Sequence, residues 1–181
     1  MQRQNPNLIA ITGAPGAGKT SLLSALANRG YACVPEAARQ IIQEQQTAGG
    51  DALPWSDTTA YLGLMLTRYV DSYLQYQHAH KATFFDRGLP DTLGYARLIS
   101  SPNEREVKTA CQRYRYACIV FAAAPWRAIY ATDDQRKQTF DEAITSFQHV
   151  LDAYHSCGYR TVLLPETTPE ERADFVLSYL S

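Results

Sequence analysis

Apolar and polar positions fall in blocks along this chain, and the blocks switch between two periods. Residues 8–12 (LIAIT) are a continuous apolar, β-branched run that stops at glycine, the pattern of a strand buried on both faces. Residues 20–29 repeat Leu22, Leu23 and Leu26 at helical spacing and stop at Gly30. Residues 31–34 return to strand character before Pro35, and residues 36–46 set Ala37, Ile41 and Ile42 on one helical face. After Gly49, Gly50 and Pro54, a long helix is predicted from Ser56, its N-cap, to about His80, with Leu62, Met65, Leu66, Tyr69, Tyr73 and Tyr76 as one stripe. Further strands are predicted over 81–85, 117–122 and 159–164, and further helices over 90–99, 103–113, 139–156 and 169–180.

Strands that alternate with helices, without hairpin signals, predict a five-stranded parallel sheet covered on both faces, a three-layer α/β/α architecture. At 181 residues the chain has room for one sizeable core, so one domain is expected over 1–181. The formal net charge of -1 removes any electrostatic reason to expect duplex DNA or an anionic membrane as the main partner. Cys33, Cys111, Cys118 and Cys157 show neither C-x-x-C nor zinc spacing, which fits idle thiols in a reducing cytoplasm. The polar start, residues 1–7, leads straight into a strand rather than a secretory signal, and no run reaches membrane-spanning length.

The chemistry begins at residues 13–20, where Gly13, Ala14, Pro15, Gly16, Ala17, Gly18, Lys19 and Thr20 satisfy G-x-x-x-x-G-K-[ST] between a strand and a helix. The glycines let backbone N–H groups curl inward around a polyphosphate at the positive end of the helix. Lys19 adds charge on the β and γ phosphates, Thr20 offers its hydroxyl to Mg2+, and Ser21 reaches the α-phosphate. A lysine opening a helix for structural reasons alone would oppose the dipole. The fold is therefore expected to be a P-loop NTPase with a nucleoside triphosphate and Mg2+ as its cofactors; the sequence does not fix the base, and ATP is favoured over GTP because the N-K-x-D signature that selects guanine is absent.

In an open parallel sheet, ligands collect beyond the carboxyl ends of the strands, so the polar residues just after each strand are candidates. Glu36 follows the second strand and Arg39 lies three residues on, both within reach of an acceptor; Glu36 is a candidate general base. An acid that merely favours a helix start and pairs with Arg39 would read the same way. Asp86 and Arg87 follow the third strand, Asp86 placed to hold Mg2+ through water and Arg87 to face the acceptor or its phosphate, or else the two are a surface ion pair at a strand end. After the fourth strand, Arg127, Asp133, Asp134, Arg136 and Lys137 fall in a charge-dense stretch, about 125–138, that reads as a lid closing Arg127 and Arg136 over transferring phosphate, or as a plain solvated loop. The turn after the fifth strand, residues 164–167, is placed to read the base edge, or is only a turn. Trp55 and the tyrosine stripe read as core.

Together, GAPGAGKTSLLSAL, VPEAARQII, FFDRGLPDTLGYA and the AAPWRAIYATDDQRKQTFDEA segment resemble the NadR-like family of small AAA-labelled P-loop ATPases and predicted kinases, over nearly the whole chain. The order of motifs also looks like deoxynucleoside, thymidylate and nicotinamide riboside kinases. The resemblance implies phosphoryl transfer from ATP to a small acceptor, with Lys19 and Thr20 on the nucleotide, Glu36 or Asp86 as acid or base, and arginines on the lid. No proline follows Glu36, and Gly88-Leu89-Pro90 follows Arg87, so a thymidine or deoxycytidine pocket is not implied. A nucleotide-regulated switch or binding module without a small-molecule acceptor is the alternative the same motifs allow.

Overall fold

A computed structural model of the chain describes residues 4–129 and 139–180. The elements follow the order β1 (Leu8–Gly13), α1 (Lys19–Asn28), β2 (Ala32–Val34), α2 (Ala37–Ala48), α3 (Thr58–Tyr76), β3 (Thr83–Asp86), α4 (Leu89–Leu98), α5 (Glu104–Arg113), β4 (Ile119–Ala123), α6 (Phe140–Ser156), β5 (Arg160–Leu163) and α7 (Pro169–Leu177). The five strands form one sheet in the order β2-β3-β1-β4-β5, and every pairing is parallel.

That order fixes the layers. The chain leaves β1 in one direction and returns from β2 through β3 to β4 and β5 in the other, so right-handed crossovers put α1 on one face and α2 to α6 on the opposite one. The core agrees with this: Leu8, Ala10 and Phe85 pack with α2 to α6, whereas Ile9, Ile11 and Phe84 pack with α1 and α7, joined at one end by Ala143 and Phe147 from the start of α6. Strand β1 is buried along its whole length, which explains why it reads as a continuous apolar run rather than an alternating one.

Two expectations shift at element ends and a third in the loop between α2 and α3. The N-cap of α3 is Asp57, not Ser56, because the Asp57 carboxylate accepts from the Ala60 amide. That helix stops at Tyr76 rather than His80, where the side-chain amides of Asn5 and Asn7 donate to the Gln77 and Ala79 carbonyls and draw the chain out of the helix. Trp55 is not core; it is 59% exposed, while Tyr61, Tyr69 and Tyr73 are buried. Among the described residues no helix is long and apolar enough to cross a membrane.

Candidate active site

The phosphate loop leaves β1 at the middle of the sheet and is pinned there. Gly13 has φ 145°, and a Cβ on it would lie 2.3 Å from the Ala123 carbonyl oxygen, so the close approach of β1 to β4 admits only glycine. The Ala14 amide donates to that same carbonyl. Gly18 caps α1 in the left-handed region at φ 79°, with the Arg172 guanidinium 3.0 Å from where a Cβ would stand. Lys19 is buried, and its ammonium donates to the Ala14 carbonyl at 3.1 Å and the Gly13 carbonyl at 3.5 Å. Thr20 and Ser21, in the first turn of α1, are exposed. Ala14 and Ala17 belong to the apolar cluster under α1, which anchors the loop from below.

Asp86 ends β3 and stands opposite Ile11 of β1 in the parallel register, beside the start of the loop. It is buried, and its Oδ1 has no hydrogen-bond partner among the described residues. Burial raises its pKa; Lys19 opposes that shift, Glu36 adds to it, Arg87 opposes it and Asp91 adds to it. A buried carboxylate oxygen without a donor is expensive, and a hard cation is the partner that oxygen suits. The donor set therefore fits Mg2+ held by Asp86 and the Thr20 hydroxyl. Among the described residues no cluster of three or more metal-ligating side chains exists.

Arg87 follows at φ 70°, a left-handed conformation that costs a residue with a Cβ about 1–3 kcal/mol. Its side chain is clamped on both sides: Nε donates to Glu36 Oε1 at 2.9 Å and Nη1 to Asp91 Oδ1 at 2.9 Å. Burial works against the guanidinium charge, but Glu36, Asp91 and Asp86 outweigh it and push the pKa up. Glu36 occupies the cap position of α2, and Arg39, half-buried, follows in the first turn of the same helix.

Asp91, in the first turn of α4, was not singled out by the sequence, yet it organises this corner. It is 4% exposed and accepts from the Thr12 hydroxyl at 2.6 Å, the Tyr154 hydroxyl at 2.6 Å, the Gly88 amide at 2.9 Å and Arg87. One carboxylate on α4 thus ties β1 and α6 to the turn between β3 and α4. A first-turn acid three residues after Gly88 was the available signal; its partners on β1 and α6 have no local signature.

Two cavities open from the loop. The larger, ≈ 650 Å³, is walled by Gly16 to Ser21, by Trp126 and Ile129 after β4, by the turn from Glu166 to Pro169 and by Arg172. Arg172 donates to the Ala17 carbonyl at 2.8 Å and the Pro165 carbonyl at 2.7 Å, and its guanidinium lies 5.0 Å from the Trp126 ring. It ties the loop to the segment after β5. Neither Arg172 nor Trp126 was anticipated, because α7 lies some 150 residues from the loop in sequence. The smaller cavity, ≈ 190 Å³, opens at Gly13, Ala14 and Pro15 and is bounded by Glu36, Arg87 and Asp91, by Tyr61 and Met65 of α3, by Tyr95 and Leu98 of α4, and by α6. Arg127 is exposed and lies over the Phe140 ring, 4.2 Å from its centre. Arg136, with Asp133, Asp134 and Lys137, lies outside the described residues.

Sheet order, phosphate loop and strand-end acid together define a P-loop protein with a nucleotide-kinase-like fold. Residues 8–172 match the family described as AAA domain, and the chain belongs to that family. Among solved structures it is similar to NadR protein in complex with NR, at 19% identity and TM-score 0.73, with 97% of this chain covered but 52% of NadR, so it spans about half of that protein. It is also similar to thymidylate kinase from Ehrlichia chaffeensis (15% identity, TM-score 0.62, 97% of this chain and 100% of that one). A third likeness is to shikimate kinase from Acinetobacter baumannii in complex with shikimate (15% identity, TM-score 0.56, 98% and 94%). At these identities the likeness is one of fold. No curated protein matches.

Proposed function

We propose that the chain is an ATP-dependent, magnesium-dependent small-molecule kinase, transferring the γ-phosphate to a nucleoside- or riboside-like acceptor. One observation carries the reading: a single loop lines two cavities, with Gly16 to Ser21 facing the larger and Gly13 to Pro15 facing the smaller. Donor and acceptor bound on the two sides of one phosphate loop would meet at it, and bringing them together is most of what phosphoryl transfer asks of a protein. Three similar folds with small-molecule names support the same reading. Four free cysteines suit a reducing cytoplasm.

Within this reading, ATP occupies the larger cavity, its phosphates ringed by loop amides at the N-terminus of α1. Lys19 leaves the Ala14 and Gly13 carbonyls to meet the β and γ phosphates. Thr20 and Asp86 are the residues that would hold Mg2+, which would supply charge neutralisation to the phosphates. The two carboxylates divide the work by position: Asp86 is buried beside Lys19, whereas Glu36 lines the smaller cavity and orients the acceptor hydroxyl, taking its proton as the new bond forms. Arg87 holds Glu36 in place, and Arg39, Arg127 and Arg136 complete the proposed phosphate contacts.

The test is ADP formation by the purified chain with MgATP, with and without a panel of hydroxyl-bearing nucleosides and ribosides. Acceptor-dependent acceleration that Lys19→Ala removes is the expected result. Slow hydrolysis indifferent to every acceptor would refute the kinase reading.

A further inference from the structure

Besides Lys19, another buried cation stands against the phosphate loop, and it lies outside the loop's motif. Arg172, on α7, is 2% exposed. Its Nη1 donates to the Ala17 carbonyl at 2.8 Å and its Nε to the Pro165 carbonyl at 2.7 Å. Among the described residues no carboxylate forms an ion pair with it. Burial draws its pKa down and Glu166 opposes that shift. A buried guanidinium held by carbonyls without a counter-ion is costly, and two apolar contacts would fill the same space at lower cost.

The two carbonyls explain what the charge does there. The Ala17 carbonyl and the Gly18 amide belong to one trans peptide, in which C=O and N–H point in opposite directions. Holding the carbonyl toward Arg172 therefore turns the Gly18 N–H away from it, and the bond polarises the peptide so that this N–H donates more strongly. Gly18 has no side chain to restrain that peptide, and Nη1 lies 3.0 Å from where its Cβ would stand; the restraint comes from Arg172. The Pro165 carbonyl belongs to the opposite wall, next to the turn from Glu166 to Pro169 that lines the larger cavity. The Trp126 ring, half-buried on that cavity, lies 5.0 Å from the guanidinium. One planar group thus spans the loop and the segments that follow β4 and β5.

We propose that Arg172 is a positioning residue of the nucleotide site: it turns the Gly18 amide toward a phosphate and holds Trp126 and the turn after Pro165 in place relative to the loop, so that binding of the nucleoside part and binding of the phosphates reinforce each other. The proposal rests on reading the larger cavity as the nucleotide site. Lysine at this position carries the charge as a single point rather than a planar fork, so it reaches one carbonyl or the other and does not span both.

Arg172→Met and Arg172→Lys are compared with the parent chain by calorimetry, with Mg2+ throughout and two probes, ATP and inorganic triphosphate. The parent is expected to bind ATP more tightly than triphosphate. In Arg172→Met, triphosphate should weaken by about three- to ten-fold and ATP by more, so that the preference for ATP shrinks. Arg172→Lys should recover most of the triphosphate affinity and little of the preference. Amide NMR spectra supply a readout that a merely structural role would not move: the downfield shift of the Gly18 amide proton on adding triphosphate should be smaller in Arg172→Met than in the parent. Parental affinities for both probes, an equal-fold loss of both, or an unchanged Gly18 shift in a folded Arg172→Met variant overturns the proposal and leaves the nucleotide reading standing. Should the methionine variant not fold, a parental preference for ATP in Arg172→Lys overturns it instead. If the parent chain binds neither probe, the nucleotide reading itself falls and the proposal with it.

Discussion

Replacing Asp91 by alanine is the sharpest perturbation available outside the loop. The side chain is 4% exposed and accepts four hydrogen bonds, from Thr12 of β1, from Arg87 and Gly88 in the turn between β3 and α4, and from Tyr154 of α6. Removing it deprives Arg87 of one of its two ion-pair partners, and breaking a buried pair from one side costs about 3–5 kcal/mol. Because Glu36 remains on Arg87, that contribution falls at the low end. The Thr12 and Tyr154 hydroxyls are left buried without an acceptor, at roughly 1–3 kcal/mol each if nothing else satisfies them. These terms share one site and do not simply add, so the expected loss is about 3–5 kcal/mol, a large part of the roughly 5–15 kcal/mol that holds a typical domain. Urea unfolding followed by tryptophan fluorescence should show a midpoint lower by about 1 M or more for an m of roughly 1–3 kcal/mol/M. Asp91→Asn, which keeps the shape but turns an amide toward donors, should lose less than Asp91→Ala and still be clearly destabilised. Thr12→Val should cost less in the Asp91→Ala background than alone, with a coupling of about 0.5 kcal/mol or more. A loss below about 1 kcal/mol for Asp91→Ala with unchanged m, or strict additivity with Thr12→Val, would refute the claim that this carboxylate ties β1 and α6 to the turn before α4.

Lys19→Ala should abolish the stabilisation by MgATP, which at a ligand concentration about a hundred times the dissociation constant amounts to roughly 2.7 kcal/mol; a thermal-shift titration of both proteins decides it. Asp86→Asn tests the raised pKa of Asp86. Between the ordinary aspartate value and the raised folded one, the unfolded chain has lost its proton and the native chain has kept it, so native stability falls as pH rises through that window. The asparagine variant should therefore unfold at a higher temperature than the parent at neutral pH without nucleotide, and the gain should vanish as pH drops below the ordinary carboxylate range; no gain at neutral pH contradicts the assignment. Glu36→Gln should fold normally and lower acceptor-dependent ADP formation by about 10²-fold, measured as kcat at saturating acceptor.

The loop, the sheet and the strand-end acid were legible because their signals are local. Gly13 to Thr20 is a contiguous motif, and Asp86 announces itself where an apolar strand breaks into a charge. What escaped depends on residues far apart in sequence. Glu36 meets Arg87, 51 positions on, whereas local spacing drew attention to Arg39. Asp91 draws its hydroxyl donors from 79 positions before it and 63 after, and nothing in a helix start reveals which strands and helices converge on it. Arg172 reads as one more charge on a closing helix until the fold carries α7 back against the loop. Ser56 and Asp57 are both competent caps; the choice rests on which side chain reaches the Ala60 amide.

The division of the loop between two cavities also says where this chain is free to vary. Gly13 is walled in by Ala123, and Gly18 by Arg172 and Ile129, so a side chain added at either place in the loop strikes backbone or a buried cation. Tyr61, Tyr95, Leu98 and Val150 project from three helices into the other cavity, where resizing a side chain leaves the sheet untouched. Under the proposed function, a lineage or an engineer seeking a new acceptor could redraw that wall residue by residue and inherit the glycine-rich loop intact.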